Sequence, residues 1–167
     1  MSSQEGQGEQ TAQNQYLTFK LADELYAIGV NRVREVLEYT PVTTVPRTAE
    51  FMKGVINLRG SVIPVADLRM KFDLGEAEKT VETSIIVCEV RLGGEDVVIG
   101  MIADAVEEVV RMEPESIEPA PKVGTTVSSE FLAGIGKQNE QFVIILDIDK
   151  VFSEDEVAAL SSQEAGG

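Results

Sequence analysis

The stretch that decides the fold is Gly54-Val55-Ile56-Asn57-Leu58-Arg59-Gly60-Ser61-Val62-Ile63-Pro64-Val65-Ala66-Asp67-Leu68. Two apolar segments flank residues 57–60, a pattern typical of two strands joined by a tight turn. Asparagine and glycine tolerate the positive φ angles that such turns require, and Asn57 and Gly60 can supply them here. The stretch therefore predicts a β-hairpin that carries a long charged side chain, Arg59, at its tip.

The pattern occurs a second time, 80 residues further along the chain. Phe51 and Gly54 correspond to Phe131 and Gly134, and residues 63–68 correspond to residues 143–148. The chain therefore contains two copies of a unit of about five short strands, from about residue 15 to 75 and from about 80 to 152. Because a unit of this length can curl into a small barrel, the predicted fold class is all-β, with two small five-stranded barrels packed on a shared apolar layer.

Smaller features predict the remaining elements. Alternating Leu17, Phe19 and Leu21 indicate a half-buried strand, and residues 30–34 can form one helical turn. Ser153, followed three residues later by Glu156, is a capping box that predicts a short C-terminal helix over residues 153–160. The polar segments 1–14 and 161–167 are expected to be disordered tails.

The composition bears on partners and location. A formal net charge of −15 would repel a phosphate backbone, which argues against a nucleic-acid partner. No apolar run approaches the ~18 residues of a membrane span, and the N-terminus lacks the apolar region of a signal peptide. The single cysteine, Cys88, cannot form an internal disulfide, which is typical of a reducing compartment. We therefore expect a cytoplasmic protein that does not insert into the membrane.

The residues that are missing limit the chemistry. The chain has no histidine, so the commonest general base and the commonest metal ligand are both missing. It has neither a phosphate-binding glycine loop nor the carboxylate spacing of a calcium loop. We therefore expect no catalytic residues, no metal and no cofactor. Carboxylate pairs such as Asp147 and Asp149 leave an acid-pair hydrolase formally open.

The chain resembles the CheW family, the coupling proteins of bacterial chemotaxis, from Tyr16 to about Leu160. The resemblance rests on residues 24–29, 33–36, 51–60 and 145–148. It implies two five-stranded barrels without catalytic activity. It also implies an adaptor that bridges the cytoplasmic tips of membrane chemoreceptors to the regulatory domain of the histidine kinase CheA and supports the receptor array.

Four residues acquire roles through the resemblance. Glu35 and Arg59 match positions implicated in receptor coupling, and Gly54 matches a glycine whose replacement is expected to disturb coupling through the backbone. Val33 belongs either to the core or to an apolar receptor-binding groove between the barrels. From the residues alone, Glu35 and Arg59 carry opposite charges and could form an ion pair. The family's kinase-binding face would lie mainly on the barrel of the second copy, where no motif assigns individual residues.

Two alternatives stay open. The same domain occurs in other chemosensory proteins, as the regulatory part of CheA or fused to a receiver domain. The absence of a receiver-like pattern after the predicted helix favours a stand-alone adaptor. A small-molecule-binding barrel or a hydrolase would need a concave pocket with convergent carboxylates of perturbed pKa.

Overall fold

The computed structural model describes residues 14–46, 49–76, 78–119, 129–153 and 156. The strands are β1 Gln15–Leu21, β2 Glu24–Gly29, β3 Val33–Glu38, β4 Met52–Leu58, β5 Ser61–Asp67, β6 Ser84–Leu92, β7 Glu95–Ala103, β8 Ala105–Arg111, β9 Leu132–Gln138 and β10 Gln141–Leu146. The helices are α1 Leu68–Lys71 and α2 Ile148–Val151, with 3-10 turns at Val30–Arg32, Pro114–Ser116 and Ser129–Phe131. None of the helices in these ranges is long and apolar enough to cross a membrane.

The strands form two five-stranded sheets. Sheet A has the order β8-β1-β2-β10-β9, and sheet B has the order β3-β6-β7-β5-β4. Replacing each strand by its counterpart in the other copy converts one order into the other, so the two sheets are related by a pseudo-two-fold repeat. The predicted all-β fold class is confirmed.

The prediction that each copy closes into its own barrel is wrong. Sheet A takes β1 and β2 from the first copy and β8 to β10 from the second, while sheet B takes the other five strands. In each sheet the parallel neighbours, β10 with β2 and β5 with β7, come from different copies. Parallel strands cannot be joined by a tight turn, so such a pair readily combines distant segments. Sheet A holds three strands of the second copy, and sheet B holds two.

Each sheet curls until its two edges meet. The chain beyond edge strand β3 returns to the opposite edge at the bridge between Thr43 and Val55. The chain beyond β8 does the same at the bridge between Glu118 and Ile135. These bridges close sheet A into barrel A and sheet B into barrel B, which limits the length of exposed strand edge.

The apolar side chains of the described residues form three clusters. Alternate residues of a strand point to opposite faces, so β2 directs Tyr26 and Ile28 toward sheet B and Leu25 and Ala27 into barrel A. The large central cluster between the sheets also contains Phe19 and residues of β6 and β7. A smaller cluster fills each barrel. The shared apolar layer expected from the sequence is therefore this central cluster.

Each barrel ends in a short helix that is capped in the same way. Asp67 accepts a hydrogen bond from the backbone N–H of Arg69 at α1, and Asp147 accepts one from the N–H of Asp149 at α2. Such caps satisfy N–H groups that the helix itself leaves unpaired. The capping box at the C-terminus also forms, because Ser153 and Glu156 exchange hydrogen bonds of 2.8 and 3.1 Å. The rest of the predicted helix over residues 153–160, like both predicted tails apart from residue 14, lies outside the described residues.

Candidate functional site

The hairpin between β4 and β5 presents Arg59 as predicted, but its turn is built differently. Arg59 and Gly60 are the two central residues, with φ angles of 52° and 88°. Asn57 does not supply a positive φ; its Oδ1 instead accepts a 3.0 Å hydrogen bond from the N–H of Gly60. This side-chain bond stabilises the left-handed conformation at Arg59, which is uncommon for a residue other than glycine.

Glu35 and Arg59 form a two-bond ion pair. Nη1 of Arg59 donates to Oε2 of Glu35 at 2.6 Å, and Nη2 donates to Oε1 at 2.9 Å. The hydrogen bonds from Arg59 hold the pKa of Glu35 below its ordinary value of 4.5. The same bonds raise the pKa of Arg59. Both groups are therefore charged at neutral pH, and the Arg59 side chain is 72% exposed.

This ion pair connects the two edges of sheet B. Glu35 lies on edge strand β3, and Arg59 lies at the end of the hairpin that contains the other edge strand, β4. Beside the pair is a groove of about 540 Å³. Its lining combines apolar residues, including buried Ile63 and Val87, with charged Arg34 and Asp96. The surface therefore offers apolar contacts next to a fixed pattern of charge.

Val33 lies two residues before Glu35 on the same strand. A register shift between them interrupts the pairing of β3 with β6. Val33 is half-buried and packs against the central apolar cluster. It therefore lies at the edge of the core, and part of its side chain still reaches the surface.

Gly54 is buried and separate from the ion pair. Its φ is +145°, and an added Cβ would lie 1.8 Å from the carbonyl oxygen of Thr43. Its counterpart Gly134 is also crowded, because an added Cβ would lie 2.8 Å from the carbonyl oxygen of Glu118 and 2.6 Å from Cγ2 of Ile117. Each glycine lies where its barrel closes. Of the four residues singled out from the sequence, Gly54 therefore allows close backbone packing and is not part of the exposed surface.

The other barrel has a related groove without the ion pair. Counterparts of Glu35 and Arg59 are Glu108 and Asn139, and both line a groove of about 370 Å³. Asn139 also has a positive φ, 51°, so the hairpin geometry is conserved within the molecule. Because Asn139 carries no charge, it cannot pair with Glu108 as Arg59 pairs with Glu35. The ion pair therefore distinguishes sheet B from sheet A.

The carboxylates considered for acid-base chemistry have structural partners. Asp147 caps α2, and Asp149 binds the guanidinium of Arg32 with both oxygens. Within the described ranges, no group of three or more His, Cys, Asp or Glu side chains could hold a metal ion. No sequence pattern predicts the contact between Arg32 and Asp149, because the two residues are 117 positions apart and belong to no motif.

Comparison with known proteins agrees with this architecture. The family model described as a CheW-like domain matches residues 15–156. A protein named chemotaxis protein CheW from Klebsiella aerogenes is 35% identical over 153 residues, which cover 92% of this chain and 90% of that protein. The protein of the same name from Bacillus subtilis is 34% identical over 149 residues, which cover 89% of this chain and 90% of that protein.

A solved structure is similar over the same region. The crystal structure of the scaffolding protein TtCheW from Thermoanaerobacter tengcongensis matches with a TM-score of 0.76 and 37% sequence identity. The match covers 86% of this chain and 90% of that chain. With the family model and the relatives agreeing over most of the sequence, the chain belongs to the CheW family.

Proposed function

We propose that this protein is a non-catalytic chemotaxis adaptor that binds the cytoplasmic tips of chemoreceptors and the regulatory domain of the histidine kinase CheA. Family membership supports the adaptor role. The observation that carries the receptor site is the exposed Glu35–Arg59 ion pair, which sheet B has and sheet A lacks.

The surroundings of the ion pair suit a protein partner. Val36, next to Glu35 on β3, is 41% exposed, and Val62, three residues after Arg59, is 45% exposed. Exposed apolar residues beside fixed charges are typical of binding surfaces, where the apolar area contributes affinity and the charges set the register. A receptor tip would therefore contact the β3 strand and the β4–β5 hairpin together. Val33 would extend this surface, and Gly54 would support it through the backbone.

The kinase contact is proposed on different grounds. The regulatory domain of CheA is similar in fold to CheW proteins, so two such barrels can pack end to end. We assign this contact to barrel A, which leaves the Glu35–Arg59 surface free for a receptor. A protein that holds both partners at once would work in the cytoplasm at the membrane receptor arrays, with no cofactor.

The experiment that tests this function is a co-sedimentation assay with receptor-containing vesicles. CheA and receptors from one organism are mixed with and without the protein, and the CheA that sediments with the vesicles is measured. We expect the protein to increase the sedimented CheA and to sediment with it. If the protein binds neither vesicles nor CheA, the proposal is wrong.

A further inference from the structure

Arg32 lies in the 3-10 turn that leads from sheet A to sheet B, immediately before β3 begins. Its Nη1 donates to Oδ1 of Asp149 at 2.9 Å and to the carbonyl of Glu89 at 3.1 Å, and its Nη2 donates to Oδ2 of Asp149. Oδ1 of Asp149 also accepts a 2.6 Å hydrogen bond from the N–H of Arg91. The pair is about two-thirds buried, with side chains 31% and 30% exposed.

The contact joins three parts of the fold. Asp149 belongs to α2, which follows β10 of sheet A, whereas Glu89 and Arg91 belong to β6 of sheet B. Arg32 itself belongs to the connection between the sheets. The Arg32–Asp149 pair therefore fixes the end of barrel A against barrel B at the point where β3 starts.

A second ion pair occupies the pseudo-two-fold related place with its charges reversed. Arg69 of α1 donates to Oδ2 of Asp104 at 2.7 Å, and Asp104 lies in the connection between β7 and β8. The same oxygen accepts a 2.8 Å bond from the N–H of Ala22. In the first pair the cation, Arg32, lies in the connection between strands and the anion, Asp149, lies in the helix. In the second pair the helix carries the cation and the connection carries the anion. The two pairs are similar in construction, but only the first adjoins β3.

The start of β3 needs such a restraint. The register shift between Val33 and Glu35 interrupts its ladder with β6, so this segment is held less uniformly than a regular strand. Arg32 precedes Val33 directly and binds the backbone of β6 at Glu89. Movement of Arg32 would therefore displace the strand that carries Glu35.

We propose that Arg32 and Asp149 are positioning residues for receptor binding, which fix β3 relative to barrel A without contacting the receptor. This inference rests on the proposed receptor site. It separates two roles for ion pairs in this fold: the Arg32–Asp149 pair sets the position of the binding strand, whereas the Arg69–Asp104 pair stabilises the opposite side of the molecule.

The test compares Arg32→Met with the matched control Arg69→Met. Both variants remove one guanidinium and retain an apolar stem. Each is assayed for melting temperature, for affinity to a chemoreceptor cytoplasmic fragment and for affinity to the CheA regulatory domain. We expect Arg32→Met to lower receptor affinity about five- to tenfold, within the range of coupling between residues of one network, while CheA affinity stays within about twofold. Arg69→Met should lower the melting temperature about as much as Arg32→Met does, but it should leave receptor affinity unchanged.

A second variant keeps the test decisive if Arg32→Met folds poorly. Asp149→Asn retains a similar shape and an acceptor for Arg91 but removes the charge that orients Arg32. Receptor affinity should again fall more than CheA affinity. The positioning role would be overturned if Arg32→Met and Arg69→Met each lost receptor affinity and CheA affinity to the same extent. It would also be overturned if Asp149→Asn left receptor affinity unchanged. If instead the wild-type protein fails to bind the receptor fragment, the proposed function is itself wrong and the positioning role falls with it.

Discussion

Gly54 approaches the backbone of Thr43 so closely that an added Cβ would lie 1.8 Å from the Thr43 carbonyl oxygen. The reason is the closure of barrel B, where Thr43 and Val55 exchange backbone hydrogen bonds of 2.9 Å. No side-chain rearrangement can relieve this contact, because the obstructing atoms belong to the backbone.

Gly54→Ala should therefore destabilise the protein by about 2–4 kcal/mol, combining steric overlap with a strained backbone. Gly60→Ala is the matched control, because Gly60 also has a positive φ but its Cβ would meet nothing within 4 Å. The control should lose only about 1–2 kcal/mol, the penalty of the left-handed conformation. Urea unfolding measures the free energy of unfolding of both variants. Equal losses of unfolding free energy in the two variants would show that the protein relieves the crowding at Thr43 without further destabilisation.

The Glu35–Arg59 pair predicts a defined pH dependence. The folded-state pKa of Glu35 is lowered by its bonds to Arg59, so the stabilisation from this group is fully present above its ordinary value of 4.5. It is lost as the pH falls through the lowered folded pKa. The difference in unfolding free energy between wild type and Glu35→Gln should therefore be constant well above pH 4.5 and shrink as the pH falls below 4.5.

The control is the same Glu35→Gln comparison made in an Arg59→Met background, which removes the side chain that lowers the pKa of Glu35. Without that arginine the difference in unfolding free energy should change much less in acid. A Glu35→Gln difference that persists unchanged at the acid end would contradict the assigned ion pair.

Lys71 is expected to stabilise the junction between α1 and Glu156. Its side chain is only 12% exposed and binds Glu156 at 3.0 Å. The ammonium also lies 4.3 Å from the ring centroid of Phe51 and 5.2 Å from that of Phe131. Lys71→Met should lower the unfolding free energy by about 1–3 kcal/mol through loss of the ion pair and the cation–π contacts.

Lys150→Met provides the comparison, because Lys150 is 68% exposed and lies 3.9 Å from Asp147. Exposed pairs of this kind contribute little, so its melting temperature should hardly change. Similar melting temperatures for both variants would mean that Lys71 does not stabilise the junction.

Cys88 should be chemically inert in the folded protein. Burial raises the pKa of its thiol to about 12, and the thiol donates a 3.4 Å hydrogen bond to the carbonyl of Ile99. The thiol therefore stays protonated at pH 8, whereas the thiolate is the reactive form. A colorimetric thiol assay should therefore detect one reactive thiol in urea and almost none without it. Rapid labelling of the folded protein would place Cys88 at the surface instead.

The sequence predicts most of the strands and the internal repeat because both depend on local patterns. The hairpin around Arg59, the correspondence of residues 63–68 with 143–148 and the alternation in β1 all follow from neighbouring residues. The exchange of strands between the copies could not be predicted, since counterparts have the same pattern in either sheet. The contact between Arg32 and Asp149 was also inaccessible, because it depends on how α2 packs against β6.

The candidate site was predictable to a different extent at each residue. Opposite charges at Glu35 and Arg59 suggested the ion pair, and the structure confirms that contact. The prediction that Asn57 supplies a positive φ is wrong, because its side chain acts as a hydrogen-bond acceptor and Arg59 adopts the positive φ. The sequence does not show that Gly54 is buried while Glu35 and Arg59 lie at the surface, because the burial of Gly54 depends on how barrel B closes.

We propose that receptors are coupled to the kinase through the Glu35–Arg59 surface. The most direct test measures receptor-dependent CheA activation and melting temperature for Arg59→Ala and Glu35→Ala, with Asn139→Ala and Glu108→Ala as counterparts in sheet A. Because Arg59 is highly exposed at a polar turn, we predict strongly reduced activation with small changes in melting temperature for the first two variants. The counterparts should retain affinity for a receptor fragment, since they lie on barrel A, to which the kinase contact is assigned. Unchanged activation in Arg59→Ala and Glu35→Ala would show that the receptor site lies on another face, and large losses of melting temperature would make them structural residues.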